Sequence, residues 1–203
     1  MAGSGSTYQD AAARQPGRTR LGSRLAALFA AAGLLVAAFV FAPAAGASTQ
    51  RGLLDLTCTV PSSEATTYKP PLTLTSQDVT FSSTVQYGPC VSLSRPEISS
   101  GSRSLQVLTP DRSCLTLLET AVSDFTITWN TGRTSTVSGH RTATVVGAAL
   151  VVTVTGNVTS GVFAGDSVVQ TSTGPATDIL ACTLGLGSVD SVYSTVTLEI
   201  TSL

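Results

Sequence analysis

The stretch DFTITWNTGRTSTVSGHRTATVVGAALVVTVTGN, residues 124–157, decides the fold. Two alternating runs, Phe125-Thr126-Ile127-Thr128-Trp129 and Leu150-Val151-Val152-Thr153-Val154-Thr155, flank a weaker pair at 133–137 and 141–146. A glycine-bearing turn separates each from the next. Alternation at period two, rich in β-branched residues, describes half-buried antiparallel strands. A short meander is therefore expected here, with the rest of the chain packed against it.

Outward from this stretch the pattern repeats. Residues 54–60 read as an opening strand that stops at Pro61, followed by a polar linker. The prolines of Tyr68-Lys69-Pro70-Pro71 point to an edge or a crossover, since proline cannot donate to a ladder. Residues 72–75 and 79–87 read as strands, and 90–94 with 102–108 as a pair around Ser99-Ser100-Gly101. Residues 111–120 admit either a strand or a short helix capped by Asp111, with Cys114, Leu117 and Leu118 inward. Past the meander, 167–171 is extended, Gly174-Pro175 interrupts the chain, and 192–201 alternates cleanly to the end. About ten strands at this spacing predict an all-β antiparallel sandwich, Ig-like in architecture or barrel-like.

The N-terminus reads differently. Residues 1–24 hold four arginines against one acid, and 25–42 carry no charge. Pro43 and Ala45-Gly46-Ala47 follow, so the segment resembles a secretory leader cut between Ala47 and Ser48. The division expected is a leader at 1–47 and a single domain at 48–203. The rival reading is a retained anchor at 25–42, a run of about 18 residues that barely spans a bilayer. Residues 48–203 hold seven bases and eleven acids, a net charge of −4. Such a domain, with a single lysine, is a poor match for nucleic acid or an anionic membrane. Its many serines and threonines interleave with Val, Leu and Ile, which suits solvent-facing strand positions better than a mucin-like stalk.

All four cysteines, Cys58, Cys90, Cys114 and Cys182, lie beyond the leader. An even number in an exported chain implies two disulfides, and three connectivities are open. The favoured one joins Cys58 to Cys90, tying the opening strand to the Tyr87-Gly88-Pro89-Cys90 turn, and Cys114 to Cys182 across the meander. With no CxxC and one histidine, a zinc site is not indicated. The order Cys114, Trp129, Cys182 invites comparison with immunoglobulin domains, but Leu180 stands where their tyrosine corner would be.

Leu56-Thr57-Cys58, Tyr87-Gly88-Pro89-Cys90, the segment from Ile127 to Ser135 and the segment from Thr159 to Asp166 together resemble a group of uncharacterised secreted actinobacterial proteins. The resemblance covers nearly all of residues 48–203. It implies export, a β-rich fold and paired cysteines, and brings no catalytic residue with it.

Chemistry is sparsely marked. His140 is the sole histidine, and a Ser-His-Asp site would need it with Asp124 or Asp166 and a serine that no Gly-x-Ser-x-Gly elbow identifies. Asp166, Asp178 and Asp190 fall near turns but lack the dense spacing of a calcium loop. Trp129 runs in phase with Phe125 and Ile127, which places it in the core. Exposed, it would stack on a sugar together with Tyr68, Tyr87 or Tyr193. No catalytic residue, metal or cofactor is assigned. The leading expectation is a secreted, non-enzymatic domain acting by surface contact with an envelope or extracellular protein or polysaccharide. The alternatives are a carbohydrate-binding module built on Trp129 and a small hydrolase built on His140.

Overall fold

The structure, a computed structural model, describes residues 53–202. The leader at 1–47, its cut between Ala47 and Ser48, and the rival anchor at 25–42 lie outside the described residues. Ten strands follow in order: β1 Leu54–Cys58, β2 Ser63–Leu72, β3 Gln77–Tyr87, β4 Cys90–Ser92 and β5 Gly101–Arg112 come first. β6 Ala121–Trp129, β7 Thr134–Val146, β8 Ala149–Gly161, β9 Ser167–Pro175 and β10 Val189–Thr201 complete the set. The expectation of an all-β, ten-stranded antiparallel fold is met. Its form is a closed barrel: eight strands run β2-β3-β5-β6-β7-β8-β9-β10, and β10 returns to β2.

Closure depends on β10, which alternates cleanly in sequence. One edge pairs with β9 from Thr195 to Thr201. Its other edge is shared, with Val189–Thr195 on β2 and Leu54–Cys58 of β1 on its last residues. β4 then adds to β1, so these two short strands extend the wall beyond the barrel proper. β4 and β5 do not pair with each other as their intervening turn suggested. β4 goes to β1, and β5 goes to β3 and β6. The pair of short strands expected at 133–146 is a single strand, β7, because Gly139 continues the ladder opposite Gly156.

Those two glycines are a geometric necessity. A Cβ on Gly156 would press into the carbonyl of Ser138 and the Cα of Gly139, both backbone atoms that cannot swing aside. Gly156→Ala should therefore destabilise the barrel by about 2–3 kcal/mol, the usual range for an overpacked interior. Urea unfolding checks this as a lower midpoint with an unchanged slope.

β2 passes through Pro70 and Pro71 although it is paired on both sides. The β3 ladder ends at Lys69, and the β10 pairing slips between Thr67 and Leu72, so neither proline faces a ladder acceptor. Residues 63–67, read as linker, are the first half of this strand.

Apolar side chains fill the barrel at its two ends. One cluster gathers Ile127, Trp129, Tyr87, Phe163 and Leu198 among others. The second gathers Tyr68, Leu72, Val79, Leu150 and Ile179. A 3₁₀ turn at Thr116–Leu118 and the helix α1, Thr177–Thr183, sit at this second end. Of the two readings open for residues 111–120, the helical one survives as that turn, but Leu115 precedes it and Asp111, the expected cap, belongs to the end of β5.

Both disulfides form with the favoured connectivity. Cys58 and Cys90 face each other directly across β1 and β4. Cys114 and Cys182 join the segment before the 3₁₀ turn to α1. This second bridge belongs to one apolar cluster and Trp129 to the other, so the immunoglobulin arrangement of a tryptophan against a disulfide is not built.

Candidate functional site

Between the two apolar ends the inward positions become polar. They carry Glu64 on β2, Ser83 on β3, Arg103 on β5, Gln170 and Ser172 on β9, and Ser194 on β10. The alternation of each strand aims these side chains at the barrel axis, where unsatisfied polar groups are costly. Hydrogen bonds link most of them into a ring. Arg103 Nε donates to Tyr87 Oη at 3.1 Å, and that hydroxyl donates to Gln170 Oε1 at 2.6 Å. Gln170 Nε2 donates to Ser172 Oγ at 3.4 Å, and Ser172 donates to Glu64 Oε2 at 2.7 Å. Glu64 Oε1 accepts from Ser83 at 2.7 Å and from Arg103 at 3.5 Å. Arg103 also lies 4.3 Å from the centroid of the Phe125 ring, a cation–π contact. Burial pushes the Tyr87 phenol up to about 12, so it remains a donor throughout the physiological range.

Beyond this ring, toward the second apolar cluster, the barrel holds a cavity of about 240 Å³. Phe81, Leu105, Val107 and Val152 supply apolar wall; Tyr68, Arg112 and Arg141 supply polar groups. Arg141 is on the inward phase of β7, in line with Val137 and Ala143. Its Nη2 donates to the Leu117 carbonyl at 2.7 Å and its Nη1 to that of Glu119 at 3.5 Å. Burial holds its guanidinium below its ordinary value. Tyr68 is 8% exposed, and its hydroxyl has no hydrogen-bond partner among the described residues. Burial pushes it up to about 12, with the positive charge of Arg141 acting in the opposite direction.

The wall of this cavity is open on one side. β5 and β6 pair only at Gly101 with Trp129 and Ser102 with Thr128. Past those residues the strands diverge, because the chain between them turns across the barrel end. Leu105 and Val107 are inward by phase yet 39% and 44% exposed, and Leu108 and Val122 beside them are more exposed still. The gap is a lateral doorway.

The residues singled out from sequence take other places. Trp129 is 2% exposed, with Nε1 donating to Ser135 Oγ at 2.8 Å and Phe163 edge-on at 6.0 Å. It cannot stack on a sugar; it packs the closed end. Tyr68 and Tyr87 are likewise inside, which leaves Tyr193 as the exposed member of that set. His140 lies on the outer face of β7, opposite Val122 and Thr155. Asp124 and Ser138 share that outer face, but no hydrogen bond joins them to His140. Asp166 is remote, in the β8–β9 turn.

Asp166, Asp178 and Asp190 do not gather, and no group of three or more His, Cys, Asp or Glu side chains does so among the described residues. Asp166 instead neighbours Asp55; burial first, then that carboxyl, raises its pKa.

Sequence reading missed the site that does exist. Its signal was present: Glu64 alternates in phase with Thr66 and Tyr68, and Arg141 in phase with Ala143, so charged groups occupied an inward face. Compared with protein-family models, curated proteins and solved structures, the chain matches none.

Proposed function

We propose that this chain is exported and acts outside the cytoplasm as a non-enzymatic binding protein, holding a small molecule inside the barrel. The observation that carries the reading is the cavity itself: polar groups with donors to spare, apolar walls and a doorway between β5 and β6. Concave, largely apolar sites with a few converging polar groups are the usual setting for small ligands. Export is supported by the leader-like N-terminus, by the resemblance to secreted actinobacterial proteins and by two disulfides, which suit an oxidising compartment. No helix among the described residues is long and apolar enough to cross a membrane. The carbohydrate-binding alternative, which needed an exposed Trp129, has less behind it, because that ring is internal.

The test uses the full chain produced in an exporting actinobacterial host. Protein recovered from the medium should begin at Ser48 and carry both disulfides by intact mass. Under non-denaturing ionisation it should also carry one small molecule that is lost on unfolding. Val107→Trp, which fills the doorway side of the cavity, should abolish that adduct. An uncut N-terminus in the membrane fraction would overturn export. A bare polypeptide mass would overturn ligand binding.

A further inference from the structure

We infer that the ligand is a small monocarboxylic acid with an apolar tail, its carboxylate received by Arg141, Arg112 and Tyr68. This deepens the binding reading above and rests on it.

Charge gives the first argument. Three arginines line the cavity, Arg103, Arg112 and Arg141, against two acids, Glu64 and Asp124. Glu64 is already engaged by Arg103, Ser83 and Ser172. Asp124 stands exposed at the rim. No carboxylate of the protein pairs with Arg112 or Arg141 among the described residues. Arg112 and Arg141 thus bring positive charge to the cavity without a carboxylate of the protein to offset it, which suits an anionic head group.

Donor geometry gives the second. Arg141 spends two donors on the carbonyls of Leu117 and Glu119, which fix the guanidinium in the wall. A guanidinium has five N–H donors in a planar fork suited to a carboxylate. The Tyr68 hydroxyl, without a hydrogen-bond partner among the described residues and facing the cavity, is a further neutral donor beside it. That hydroxyl opens onto the cavity, where an acceptor on a bound molecule can take its proton.

Size and wall chemistry complete the class. About 240 Å³ is the room of roughly eight waters at ~30 Å³ each, so the ligand has on the order of ten heavy atoms. Phe81, Leu105, Val107 and Val152 give its tail an apolar bed that leads to the doorway.

The experiment is titration calorimetry of the disulfide-bonded chain with octanoate and, separately, with octan-1-ol, which has the same tail and no charge. Octanoate should bind at least about tenfold more tightly, the scale of a charge-assisted hydrogen bond. Arg112→Gln should erase most of that preference, lowering octanoate affinity much more than octanol affinity. Because Arg141→Gln would also release the 3₁₀ turn, Tyr68→Phe is the second variant. It keeps the packing and should weaken octanoate several-fold, with a smaller loss for octanol. Equal affinity for both ligands would overturn the carboxylate assignment and leave the binding reading standing. Octanol binding alone would do the same. No binding of either, together with a bare mass from the host, would overturn both.

Discussion

Glu64→Leu is expected to lower folding stability by about 4 kcal/mol, within the range for breaking one partner of a buried ion pair. Glu64 and Arg103 have side chains only 14% and 9% exposed, and Glu64 accepts from Ser83 and Ser172 as well. Removing the carboxylate leaves a guanidinium and two hydroxyls inside the barrel with fewer acceptors. The cost comes from that orphaned charge more than from the lost attraction. Two further variants check this account by denaturant unfolding. Arg103→Met alone should also destabilise strongly. Glu64→Leu combined with Arg103→Met should recover most of the loss, since an apolar pair in place of a buried ion pair is often close to neutral. Additive losses would mean that the ring stabilises through its separate hydrogen bonds.

The second large effect concerns the capped end. Removing the bridge between Cys114 and Cys182 by paired alanine substitution should lower stability by about 4 kcal/mol, given the 68 residues it spans. Both cysteines are fully buried beside Ile179 and Leu117, so the apolar contacts remain but lose their tether. Thermal unfolding reads the loss. Limited proteolysis reads its location: cleavage should appear first around the 3₁₀ turn and α1, while β6–β8 stay protected. Cys58–Cys90, by contrast, links two residues already opposed in a ladder. Its loss should leave the protease pattern at the capped end unchanged.

Much of the fold was legible because its strands obey one rule, an apolar residue inward at every second position. β6, β8 and β10 follow it, and they were read with nearly their observed cores. The cysteine pairing was favoured among three open connectivities, and the structure has it. What escaped reading shares one physical cause. β2 carries Glu64 and Thr66 on its inner face, so residues 63–67 looked like a solvated linker. Polar residues on both faces of a strand erase the period-two signal. β5 was paired wrongly because Ser99-Ser100-Gly101 looked like a hairpin turn. Its true neighbour, β3, is set by the barrel's circumference, which no local pattern encodes. The cavity suffers from the same limit. Arg112 on β5 and Arg141 on β7 belong to different strands, and only the curvature of the wall turns both toward one chamber.

Closure by β10 also sets an order of events during synthesis. Residues 189–201 leave the ribosome after every other described strand, yet they supply the neighbours of β9, of β2 and of β1. Until they emerge, the nascent chain has two unsealed margins and an interior of arginine, glutamate and glutamine open to water. The barrel is therefore assembled only after its sequence is nearly complete, the slow regime expected of folds dominated by distant pairings. A ribosome that stalls before Val189 leaves a chain whose seams are exposed to other chains, a fate that edge strands invite.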